Sequence, residues 1–179
     1  SPVSYTKAPP GKRPLMNPDA FPGFLLGAQP TRPTSRGHIA LRSADPFAAP
    51  MIHPNYLSTD IDMQDMLEGS KLMRRFAETP AFSKLIEAEI APGPQVQTDE
   101  ELVADIRNRA GTVFHPVSTC RMGPDRSTDV VDQRLRVYGI DGLRVADASV
   151  MPEITRANTN ATTIMIAERA ADFIRHGDE

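Results

Sequence analysis

The sequence predicts an α+β fold, in which short antiparallel strands are combined with amphipathic helices and the chain ends in a strand–helix segment. Three observations carry this reading. Two short apolar runs, Gly23–Ala28 and Gly37–Arg42, flank the turn-forming stretch Gln29–Arg36. Met63, Met66, Leu67, Met73, Phe76 and Ala77 recur at helical spacing on one face. The stretch from Ala161 to Ala167 is apolar nearly all round, as in a buried helix.

In chain order, residues 1–22 read as an irregular arm, because Pro2, Pro9, Pro10, Pro14, Pro18 and Pro22 lie too close together for a regular element. The runs at 23–28 and 37–42 are expected to pair antiparallel, with Met51–Ile52 as a third short strand before Pro54. Ser58 or Thr59 caps a helix that stops before Pro80. A second helix opens on Thr98-Asp99-Glu100-Glu101, where Thr98 and Glu101 satisfy each other's backbone amides, and it ends at Gly111. Val130–Tyr138 and Leu143–Ala146 read as strands around the turn Gly139–Gly142. The last helix starts at Asn158 or Thr159, buries its first half and closes at Gly177.

Composition narrows the function classes. The chain has 179 residues, 40% apolar and 24% charged, with a formal net charge of −3, which fits a soluble domain and gives no footprint for nucleic-acid binding. Cys120 is the single cysteine, so an intrachain disulfide and a Cys-based zinc site are both excluded. No apolar run is long enough to span a bilayer, and the first residues lack the order of a signal peptide, so a cytoplasmic setting is expected. The absent initiator methionine is compatible with processing, a cloning boundary or a start inside a longer product.

Two residues stand out for chemistry. His115 lies where a small apolar stretch runs into the polar turn Ser118–Gly123, and an imidazole there can accept a proton near neutral pH; the alternative is a turn histidine without a role. Asn160 lies at the start of the final helix, where free backbone amides and the helix dipole favour an anion or an electron-rich carbonyl edge. Asn158 and Thr159 read as capping residues. The chain contains no G-x-S-x-G elbow, Walker loop or G-x-G-x-x-G fingerprint, and no histidine or carboxylate spacing that selects a metal.

Three blocks, His115–Gly123, Val131–Asp132 through Leu143–Pro152, and Asn158–Glu168, together resemble the C-terminal part of the glucose-methanol-choline (GMC) family of flavin-dependent oxidoreductases, nearest its choline-dehydrogenase-like bacterial members, which implies a bacterial source. Arg32–Gly37, Asp45-Pro46 and Pro54–Leu57 are similar to the substrate domain of that family. The resemblance implies FAD as cofactor and hydride transfer from a primary or secondary alcohol to flavin N5, giving an aldehyde or ketone. His115 and Asn160 take the two catalytic positions; Asp147, Ala148, Ala161 and Thr162 become cofactor-contacting. It further implies a proline-rich arm and first strand at 1–29, a substrate-domain portion at 30–112, and a segment at 113–179 that completes an FAD-binding α/β domain. Its partner would be the N-terminal FAD-binding portion of the same enzyme. Ser118 and Ala157 stand where glycine is usual, and Thr162 where proline is common. A cyanohydrin-cleaving lyase on the same scaffold and a non-catalytic binding remnant are the other classes considered.

Overall fold

The computed structural model describes residues 3–4 and 18–177, so the expected irregular arm falls largely outside the described residues. The chain divides into two units, residues 1–30 with 59–110 and residues 31–58 with 111–179.

The first unit is helical. Thr59 adopts extended backbone and its side chain accepts the Asp62 N–H, which starts α1 at Asp60–Ala77; Asp60 and Asp62 sit in the first turn and Arg74 and Arg75 in the last, complementing the dipole. Met63 and Leu67 are buried on the face that packs against α3, Asp99–Arg109, whose Leu102 and Ile106 are buried in turn. Met66 and Met73 are only half-buried and Phe76 is exposed, so the buried stripe is narrower than the apolar spacing implies. A short turn, α2 at Pro80–Ser83, has proline at its start and was not expected from periodicity. Arg74 ties the segment beyond it to α1: Nε and Nη2 donate to the Glu89 carboxylate at 3.0 and 3.1 Å, and Nη1 donates to the Val96 carbonyl at 2.7 Å.

The Thr98–Glu101 capping box forms as the sequence implies, the Thr98 N–H donating to Glu101 Oε2 at 3.0 Å and the Glu101 N–H to Thr98 Oγ1 at 3.2 Å. The Thr98 N–H, and after it that of Gln97, holds the Glu101 carboxyl below the usual range. A lowered folded-state pKa means that this contribution is complete above the ordinary carboxylate range and is lost as pH falls through the folded value. Replacing Thr98 by alanine is expected to cost about 1 kcal/mol in denaturant unfolding. Glu101→Gln should flatten the acid limb of the stability profile.

The second unit holds the sheet. Here the strand pairing differs from expectation: β1, His38–Ala40, pairs antiparallel with β2, Met51–His53, and residues 23–28 form no ladder. The local turn after β1 closes on the Asp45 side chain, which accepts the Phe47 N–H at 3.0 Å, and returns the chain directly. Gly37 allows the close approach of β2, because a Cβ there would lie 2.1 Å from the His53 carbonyl oxygen.

The expected strands at 130–138 and 143–146 reduce to isolated bridges, Met122 with Val131, Val131 with Val137, and Arg136 with Arg144. The cause is local. Leu135 has φ of 66°, and Asp132 Oδ1 accepts the N–H groups of Arg134 and Arg136 at 2.8 and 3.0 Å, so the chain turns where a ladder would run. Burial raises the Asp132 pKa, but these backbone hydrogen bonds and the Arg136 side chain outweigh it and hold the carboxyl below its usual range.

These bridged segments pack on α4, Asn160–His176, through a core of Val131, Leu135, Val150, Met151, Ile166 and Ala170. The expectation that the first half of α4 is buried is not met among the described residues. Only Ile166 and Ala170 are buried in α4, whereas Ile164 and Met165 are 55% and 52% exposed. One face of the helix meets the core and the other has no apolar cover there. Gly177 follows as C-cap with φ of 73° and ψ of −163°, a positive-φ backbone that glycine adopts readily and that ends the helix.

Candidate active site

Two segments of the second unit build the site. The first runs from Gly111 to Met122. Within it the Cys120 N–H donates to the Ser149 carbonyl at 3.0 Å and the Met122 N–H to the Val150 carbonyl at 2.9 Å, laying it beside a 3-10 turn at Ala148–Val150. Asp147 caps that turn by accepting the Ser149 N–H at 2.8 Å. Ser118 has φ of 72°, a conformation costly for a residue with a Cβ, and its hydroxyl donates to the Met151 carbonyl at 2.7 Å. That hydrogen bond gives serine a compensation glycine lacks.

The second segment leads from Met151 into α4. Thr159, its N-cap residue, has helical φ and ψ of −74° and −12° and makes no side-chain cap bond to the helix. The Asn160 N–H instead donates to Asn158 Oδ1 at 2.9 Å. In the first turn beyond it, the N–H groups of Ala161 and Thr162 have no intrahelical acceptor, a consequence of helix geometry.

His115 meets this second segment through both ring nitrogens. Nε2 lies 3.2 Å from Asn158 Nδ2, and Nδ1 lies 3.3 Å from Thr159 Oγ1. The Asn158 amide has only one orientation compatible with its neighbours, since Oδ1 is fixed by the Asn160 N–H and Nδ2 therefore faces the imidazole. An amide nitrogen only donates, so Nε2 acts as acceptor and carries a lone pair. The ring is half-buried, and Asn158 is exposed beside it.

The structure thus brings Asn158 and Thr159, rather than Asn160, to the imidazole. Asn160 contributes its backbone N–H and is itself exposed. Ala161 and Thr162 lie in the first turn of α4, and Asp147 and Ala148 at the start of the 3-10 turn. Reading Asn158 as a capping residue fits its acceptance of the Asn160 N–H but does not anticipate the placement of its Nδ2 at the imidazole. The signal was present in the triplet Asn158-Thr159-Asn160: a helix that begins at its third residue leaves the first on an exposed edge with its amide free to bridge. Among the described residues, no group of three or more His, Cys, Asp or Glu could hold a metal ion. No helix among them is long and apolar enough to cross a membrane.

A sequence model of the GMC oxidoreductase family matches residues 33–167. The chain belongs to the GMC oxidoreductase family. GMC relatives include an alcohol dehydrogenase [acceptor] from Pseudomonas putida, 50% identical over 152 residues that make up 85% of this chain and 27% of the relative. An oxygen-dependent choline dehydrogenase from Escherichia coli O45:K1 (strain S88 / ExPEC) is 46% identical over 156 residues, 87% of this chain and 28% of the relative. Among solved GMC-like structures, an FAD-dependent oxidoreductase from Chaetomium thermophilum superposes with a TM-score of 0.77 at 34% identity, covering 82% of this chain and 25% of that one. The chain therefore spans only about a quarter of the length of these relatives.

Proposed function

We propose that this chain supplies the proton-accepting side of an FAD-dependent alcohol oxidoreductase acting on the CH–OH group of a small primary or secondary alcohol. The observation that carries the reading is the pairing of an acceptor, His115 Nε2, with a donor, Asn158 Nδ2, 3.2 Å apart on an accessible edge. An alcohol oxygen entering between them would take the amide's place at the Nε2 lone pair, donating its proton to Nε2 while accepting from Nδ2. As His115 takes the proton, the Asn158 amide stabilises the alkoxide that forms, and the Asn160 N–H keeps that amide facing the ring. A flavin held here would supply the hydride acceptor, and the alcohol would be released as an aldehyde or ketone.

The residues present suit one edge of such a cofactor. The amides of Ala161 and Thr162 lie at a positively polarised helix start, which favours an electron-rich ring edge. Exposed Asp147 and half-buried Ala148 offer a second contact at the 3-10 turn. The rest of the cofactor would be held by a nucleotide-binding portion N-terminal to this chain in the same enzyme, and its packing would cover Ile164 and Met165. Residues 30–112 would then belong mainly to the substrate domain and residues 113–179 to the segment that finishes the FAD domain.

The reading is tested by mixing the oxidised full-length flavoprotein with primary and secondary alcohols without oxygen. Bleaching of the flavin band by at least one alcohol is the expected result. A flavin that stays oxidised with all of them, including choline, would contradict it.

A further inference from the structure

We propose that Thr159 is a positioning residue that sets the tautomer of His115, an inference that rests on His115 being the proton acceptor. The two nitrogens of a neutral imidazole are not equivalent, since one carries the proton and only the other can accept. Asn158 Nδ2 faces Nε2 and donates to it, which favours the ring proton on Nδ1 but gives that proton no acceptor. Nδ1 lies 3.3 Å from Thr159 Oγ1, a hydroxyl oxygen able to accept it. Thr159 is buried at 7% exposure, and its carbonyl accepts both the Thr163 N–H at 2.9 Å and the Thr163 hydroxyl at 2.8 Å, so its position is fixed by α4 itself.

The helical conformation of Thr159 explains why its hydroxyl does not cap the helix. An N-cap threonine in extended backbone turns its oxygen onto the helix amides, as Thr59 and Thr98 do in this chain. Thr159 makes no such bond, and its Oγ1 lies at the imidazole instead. The helix start gives up a side-chain cap, and the ring gains a fixed orientation.

The decisive experiment is nitrogen-15 NMR of histidine-labelled full-length holoprotein above neutral pH, with the His115 signals assigned by difference from His115→Gln. Wild type should show a protonated Nδ1 and a pyridine-like Nε2. Thr159→Val, which keeps the shape and removes the hydroxyl, should move the ring toward the other tautomer and lower kcat about tenfold, with KM changing much less. Thr159→Ser should retain both the tautomer and kcat. A wild-type ring protonated on Nε2 would overturn the inference whether or not the variants fold, and so would an unchanged tautomer in Thr159→Val. Full kcat in His115→Ala would instead remove the proton-accepting role while leaving the tautomer measurement to stand by itself.

Discussion

Replacing His115 by alanine is expected to lower kcat for alcohol oxidation by about a hundredfold to ten-thousandfold, the usual range for a general base. The effect should fall on kcat more than on KM, because the lone pair on Nε2 matters most while the hydroxyl proton is in transit. His115 contributes little to the hydrophobic core, which is formed by Val131, Leu135, Val150, Met151, Ile166 and Ala170. Flavin content and thermal stability should therefore stay close to wild type, which separates lost chemistry from lost structure. Steady-state kinetics with a flavin absorbance spectrum of each preparation provides both readings. A His115→Ala protein that keeps its flavin and its kcat would exclude His115 as the base.

Asn158→Ala is the second large effect expected, about a hundredfold in kcat, as for the loss of one donor aimed at a developing oxyanion. Its origin differs from that of His115. Deleting the amide removes the donor to the alkoxide and also leaves the Asn160 N–H without its 2.9 Å acceptor at the start of α4. Asn158→Asp separates these effects. A carboxylate still accepts the Asn160 N–H, but it presents negative charge where the alkoxide forms. It should therefore preserve the helix start and be at least as slow as alanine in steady-state assays.

The helices were legible in the sequence because their signals are local. Thr98 caps α3 from the position that capping chemistry selects, Thr59 caps α1 as one of the two candidates Ser58 and Thr59, and Gly177 ends α4 with positive φ. Strand pairing was less legible, since choosing between residues 23–28 and 51–53 as the partner of β1 depends on contacts distant in sequence. The deciding feature is the approach of His53 and Pro54 to the bare Gly37 backbone. Likewise, Leu135 at positive φ interrupts an apolar run that alternation alone reads as a strand.

The candidate site was legible in part. His115 was visible as a titratable group between an apolar stretch and a turn, and the helix start as a cluster of amides. Which asparagine meets the imidazole was not, because it depends on where α4 begins. With Thr159 as N-cap, Asn160 enters the helix and contributes its N–H, while Asn158 stays outside with its side chain against the ring.

That distinction is measured most directly by the rate of flavin reduction under anaerobic rapid mixing, comparing Asn158→Ala with Asn160→Ala in the full-length protein. Alanine at position 160 keeps the backbone N–H that orients Asn158, so reduction should remain within a fewfold of wild type there and fall about a hundredfold in Asn158→Ala. The opposite order, with Asn160→Ala slow and Asn158→Ala near wild type, would contradict the pairing of His115 with Asn158 on which the proposed chemistry rests.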